Sequence, residues 1–354
     1  MIQIILHMIK RNKTISIAKA MAIILMVMGH CSCPEAFRIY FCMFHMPLFF
    51  ILSGYFFKTE VSGISGMKLF FIKRFKGLCV PYLYWGLPIL LISPLLVGWG
   101  YTAPGYSGGV DLVKKIIRMI VLTDSHYGEA QPGFWFIKSL FHGSLLVCLL
   151  TVAANKLRIK IWSVLVITIS VSVWLSFHPF NSMQKTIFGA FYGGTFYVLG
   201  YYYRNIIEKN INYNWGTIML AAIVTFIGSI TFGSSNFLYC DKPNFVISYL
   251  FYGMVGTLMC MALADKMKKC ETLEKVMTYV GDNTMIVLAL HTPFIRLTNV
   301  LLVYIFNFPS EHMNEQFFPN YIPVLWAIHA TMGVGIPILI KYGYDNLKVR
   351  MLRN

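Results

Sequence analysis

The chain has 354 residues, of which 57% are hydrophobic and only 12% charged, and its mean hydropathy is +0.63. An ordinary soluble domain carries about a quarter charged residues, so the composition excludes one and predicts an all-α, polytopic integral membrane protein. The 30 Lys and Arg outweigh the 14 Asp and Glu, an excess that in a soluble protein would suggest nucleic acid. Here most of the basic residues gather in alternate connections between apolar runs, which is the pattern of membrane topology and leaves no nucleic-acid reading.

The first residues, "MIQIILHMIKRNK", predict an amphipathic segment over 1–14 lying on the membrane. Runs of about 20 apolar residues, enough to span a hydrocarbon core of roughly 30 Å, then recur at 15–33, 39–57, 79–99, 134–153, 159–178, 185–203, 214–233, 245–264, 281–306 and 320–342. About ten transmembrane helices are therefore expected, in one domain covering 1–354. The connections holding Lys73, Arg74 and Lys76, or Lys266, Lys268 and Lys269, lie on one side, against Arg38, Lys114, Lys115, Arg118 and Lys242 on the other. The excess of Lys and Arg marks the cytoplasmic side, which places both termini there.

The first run, "IAKAMAIILMVMGHCS", holds a lysine near its start and a histidine near its end. Ionisable groups at membrane depth are costly and mark function or buried pairing. Eleven steps of about 100° return to within roughly 20° of the starting direction, so Lys19 and His30 leave one helix face, about 16 Å apart along the axis. A lysine near the inner end can snorkel and hold a phosphate as a point charge; a neutral imidazole can accept a proton. The pair suits a long, phosphate-headed donor that enters from the cytoplasm and delivers its reactive end near the far face. The alternative is a snorkelling lysine and a structurally satisfied histidine.

The second run carries His45, then Pro47, which allows a bend, then Ser53 and Gly54, which permit close helix approach. The following connection sets Lys73, Arg74 and Lys76 at the inner surface, either as topogenic charges or as phosphate ligands. The longest outer connection, 100–133, has an amphipathic middle, "VDLVKKIIRMIVL", fit to lie along the outer leaflet. Its tip gathers Asp124, His126, Tyr127 and Glu129 before Trp135, side-chain types that bond and stack a sugar. Further in, Lys138, Lys185, Arg296, His142, His178, His291 and His329 extend a one-sided basic inventory, and no Asp or Glu lies deep in a run; Asp282 stands at the start of the ninth. Eight cysteines show no zinc or disulfide spacing, so no metal is expected.

The ordered blocks from Lys19 to His30, "FHMPLFFILSGYFF", "FIKRFKGLCVPYLYW", "FWFIKSLF" and "YVGDNTMIVLALHTP" resemble the membrane acyltransferase-3 family, particularly its sugar O-acetyltransferase branch. The resemblance pairs a basic residue with a histidine at Lys19 and His30, and this chain has lysine where many members have arginine. It assigns the donor side to Arg74, together with Lys73, Lys19 and Ser53, and aligns Trp135 and His291 with later blocks. It implies acetyl-CoA or another acyl-CoA as co-substrate, no bound cofactor, a saccharide or glycolipid acceptor, and a multi-pass protein of the inner (cytoplasmic) cell membrane. His30 then serves as general base or as acyl carrier, with His45, His291 and Trp135 in support and Asp124, His126 and Glu129 toward the acceptor. A transporter or exporter of a small anion or glycan precursor is the rival reading; a non-enzymatic sensor or assembly subunit is a second.

Overall fold

The computed structural model describes residues 12–61, 63–98, 109–121, 134–178, 182–233, 237, 243–315, 318–319 and 324–351. Among them there is no strand. Helices α1 (Lys13–Gly29), α2 (Glu35–Cys42), α3 (His45–Gly54), α4 (Gly63–Arg74), α5 (Val80–Gly98), α6 (Gly109–Val121) and α7 (Trp135–Lys156) form the first half. Helices α8 (Trp162–Ser176), α9 (Ser182–Tyr202), α10 (Trp215–Phe232), α11 (Pro243–Met267), α12 (Glu271–Asp282), α13 (Thr284–Phe306) and α14 (Leu325–Met351) complete it. Each expected run overlaps helical structure, the second and the ninth of them overlapping two helices each. Among the described residues, seven helical segments are long and apolar enough to cross a membrane: Glu35–Gly54, Gly63–Ile92, Trp135–Lys156, Trp215–Phe232, Asn244–Met267, Thr284–Phe306 and Leu325–Met351.

Three details differ from the sequence reading. The second run is two helices broken at Met43 and Phe44, not one helix bent at Pro47. Pro47 sits in the first turn of α3, where its missing N–H breaks no helical bond. Lys73 and Arg74 are not in a loop: α4, a five-residue π-helical turn at Phe75–Cys79 and α5 follow one another without interruption. Such π turns are rare and frequent at functional sites. The ninth run is preceded by a separate helix, α12, and α13 starts only at Thr284. The N-terminal segment before residue 12 and the loop tip holding Asp124, His126, Tyr127 and Glu129 lie outside the described residues. The middle of that connection is the helix α6, as its amphipathic spacing predicts.

Helices in lipid gain little from apolar burial against each other and associate through close packing of small residues. Gly54 of α3 lies so near α9 that a Cβ there would stand 1.8 Å from the Tyr197 carbonyl oxygen, and Gly200 meets the Ile51 oxygen at 2.1 Å. Gly281 of α12 is as tight: a Cβ would fall 1.7 Å from the Ser16 oxygen. These contacts clamp α3 to α9 and α12 to α1. The α12 clamp is reinforced at its polar ends, where Ser16 Oγ donates to Asp282 Oδ1 at 2.8 Å and Lys13 pairs with Glu274 at 2.6 Å. Asn12 caps α1, its side chain accepting from the Ile15 N–H at 3.3 Å. Tyr279 ties α12 to α14 by donating to Asp345 Oδ2 at 3.1 Å. Burial and that carboxylate push the Tyr279 phenol up to about 12, so it keeps its proton, and the bond, through ordinary pH.

Candidate active site

α1 ends where its apolar run ends. His30 is its C-cap, with a backbone N–H bonded to the carbonyls of Met28 and Val27. The imidazole is half-buried and its ring centre lies 5.1 Å from that of His291, the planes tilted by 44°. His291 sits on the second turn of α13 and is 1% exposed. Its Nδ1 is 2.9 Å from the Leu288 carbonyl and 3.1 Å from that of Val287. Carbonyls only accept, so Nδ1 carries the proton and Nε2 of the neutral ring holds the lone pair. The Thr292 hydroxyl donates to that nitrogen at 3.2 Å.

His45, on the first turn of α3, is also buried and donates from Nδ1 to the Phe41 carbonyl at 2.9 Å. The Phe41 ring packs on Gly29, the residue before His30, and lies edge-on to His45 at 5.8 Å. Three histidines, two near one another in the chain and the third far from both, thus gather near the end of α1. Two have their tautomers pinned by backbone carbonyls; among the described residues, no hydrogen bond pins the ring of His30. The ring of His291 packs beside that of His30, and the His45 Nδ1 is engaged with Phe41.

At the other end of α1, Lys19 is half-buried, one turn beyond the Ser16 contact to Asp282. The helix is continuous between them, so about 16 Å of axis separates Lys19 from His30.

Arg74 closes α4 at the entry to the π turn. Its Nη1 donates to Ser53 Oγ at 3.0 Å, and its guanidinium lies over the rings of Tyr197 at 4.7 Å and Phe70 at 5.4 Å from their centres. Cation–π contacts of this kind hold a guanidinium without cancelling its charge. Arg74 and Ser53 therefore form one unit, while Lys73 is exposed beside it. Tyr197, which contributes the nearest ring, was hidden from sequence reading, because α9 carries only a hydrophobic pattern.

Trp135 and Phe136 open α7 in an aromatic cluster. Phe136 lies edge-on to Phe50 at 5.0 Å, and Trp135 is 5.4 Å from Phe237, which stacks on Phe50 at 4.9 Å. The structure gives Trp135 a packing role and leaves it half-buried. Farther along α13, fully buried Asn299 donates to the Glu315 carbonyl at 3.0 Å, and its Oδ1 is 2.8 Å from His329 Nε2. Arg296 is buried one turn from Asn299. Among the described residues, no group of three or more His, Cys, Asp or Glu is placed to hold a metal ion.

No curated protein and no solved structure matches the chain. The family described as an acyltransferase domain, Acyl_transf_3, matches residues 12–341, from the cap of α1 into α14, so that the histidine junction and the Arg74 unit both fall within it. The chain therefore belongs to the acyltransferase-3 family and is a multi-pass membrane acyltransferase.

Proposed function

We propose that the protein is an O-acyltransferase that moves an acetyl group from acetyl-CoA to a hydroxyl of a cell-surface saccharide or lipid-linked sugar. The observation that carries this reading is the pairing of His30 with His291 at one end of α1, with Lys19 on the same helix near the other. Ten crossings, cytoplasmic termini and the inner membrane belong to the same proposal, supported by the correspondence of helices to apolar runs and by the basic connections. The diphosphate of the donor is held at the basic end by Lys19, Lys73 and the Arg74–Ser53 unit, and its thioester reaches toward His30.

His30 takes the proton of the acceptor hydroxyl as that oxygen attacks the thioester carbonyl. The new C–O bond forms, the C–S bond breaks, and the thiolate leaves to be protonated. General-base help of this kind is worth about 10² to 10⁴ in rate. In the alternative step the imidazole itself attacks, the acetyl group rests on nitrogen, and the acceptor hydroxyl then displaces it. His291 backs the ring and, with Nε2 as its lone-pair nitrogen, can take up the proton that His30 acquires. Asp124, His126 and Glu129 are the acceptor candidates.

Purified protein in lipid nanodiscs, given radiolabelled acetyl-CoA and candidate glycans, tests the reading. Label on the glycan, or donor hydrolysis that requires His30, supports it. Intact donor with every acceptor, in material shown to be folded, removes the enzyme and favours a transporter or a non-enzymatic subunit.

A further inference from the structure

Helix α6 carries an exposed face that the acyl-transfer reading does not use. One side of it is built into the bundle: Met119 is fully buried, and a Cβ on Gly86 of α5 would stand 1.9 Å from its terminal methyl and 3.7 Å from the Phe134 ring. Leu112 and Ile116 flank Met119 and are half-buried. Among the described residues, the opposite side is exposed. Val113, Ile117 and Ile120 are 55%, 54% and 54% exposed and form one stripe, because these positions are three or four residues apart. Lys114 and Arg118, one turn apart and exposed, form a second stripe beside it.

Thirteen residues cover about 20 Å as a helix, too short to cross a bilayer and compatible with lying along its surface. Depth is set by the Met119 contact. Phe134 immediately precedes Trp135, where the candidate crossing α7 begins, so α6 meets the bundle at the level where a crossing ends. At that level an apolar stripe faces acyl chains while an adjacent cationic stripe meets head groups.

We propose that α6 docks on the anionic phospholipid head groups of its own leaflet, with Lys114 and Arg118 as the phosphate contacts and Val113, Ile117 and Ile120 inserted beside them. A lipid surface is favoured over a single bound ligand because the two stripes run side by side along the helix rather than meeting at one point. Through Met119, Gly86 and Phe134 this docking braces the turn that opens α7 at Trp135, so lipid composition reaches the aromatic cluster.

The test is hydrogen exchange of the amides of residues 109–121 in the full chain, reconstituted in nanodiscs of zwitterionic lipid or of the same lipid with a third phosphatidylglycerol. Each basic contact to an anionic surface is worth about fivefold, so protection rises roughly 5- to 30-fold in the anionic discs. The double variant Lys114→Gln, Arg118→Gln loses that gain, Lys114→Arg keeps it, and added salt erodes it. Equal exchange in the two lipids, or a gain that survives the double variant, overturns the proposal. So does protection that appears in zwitterionic discs only on adding a polyprenyl diphosphate carrying one N-acetylhexosamine, which would make α6 a seat for a lipid-linked saccharide. None of these outcomes depends on acyl transfer.

Discussion

Two junctions bring polar groups into this apolar bundle, and they are built in opposite ways. At the end of α1, neutral imidazoles from α1, α3 and α13 gather, and backbone carbonyls take the Nδ1 protons of His45 and His291. At the entry to the π turn, a permanent cation is held by the Ser53 hydroxyl and the aromatic side chains of Tyr197 and Phe70, which leave its charge available. The first arrangement is suited to moving a proton and the second to holding an anion. With the anionic thioester donor proposed above, those are the two tasks the protein would divide.

The most direct way to break the comparison is at the proton junction. His30→Ala is expected to lower turnover by about 10² to 10⁴ while leaving donor affinity near normal, measured by single-turnover and steady-state acetyl transfer. Near-normal turnover would remove His30 from the chemistry. The charge junction should respond in the other parameter. Arg74→Ala loses a charged contact worth about 1.5 to 3 kcal/mol, so the donor concentration required rises about 10- to 100-fold with a smaller change in maximal rate. Arg74→Lys keeps the charge but not the planar stack over Tyr197 and should restore only part of it. Should Arg74→Ala lower the maximal rate alone, the division of labour fails.

How much of this was legible in the sequence follows from what each feature depends on. The helices were readable because the hydrocarbon core imposes one length on every crossing. Lys19 and His30 were readable as a pair because their relation is local to one helix. The neighbour of His30 was not, because His291 is 261 residues away in the chain and only the packing of α13 on α1 decides it. Tyr197 was invisible for the same reason. The break at Met43 and Phe44 was missed because no strong breaker stands there, and Pro47 drew the attention although in a first turn it costs nothing. The start of α13 was misjudged because Gly281 and Asp282, read as its first residues, end α12 against Ser16 instead.

That last contact supports a third prediction, which asks whether the two ends of α1 depend on one another. Gly281→Ala places a methyl where the Ser16 backbone already stands, so α12 must move off α1. Overpacking of this kind costs about 1 to 3 kcal/mol, measured as a loss of thermal stability in detergent. Because the clamp is one turn from Lys19, the donor requirement should rise in the surviving fraction, whereas the His30 step should be spared. A fall in turnover at saturating donor, with stability unchanged, would mean that the ends are coupled rather than separate.

The smallest expected effect is also the sharpest probe of the histidine pair. The Thr292 hydroxyl donates to His291 Nε2, the nitrogen with the lone pair that faces no backbone carbonyl. Valine has the same shape without the hydroxyl, so Thr292→Val removes one hydrogen bond of about 1 kcal/mol and little else. If His291 takes up the proton that His30 acquires, removing the donor that occupies its lone pair makes Nε2 the better acceptor, so turnover should rise by up to about fivefold, with donor affinity unchanged, and Thr292→Ser should return it to the starting value. A purely structural threonine predicts a different pattern: a small loss of stability, turnover unaltered, and no distinction between valine and serine in rate. Unchanged turnover in Thr292→Val would leave the ring of His291 as a packing partner, and the proton taken by His30 would need another route out.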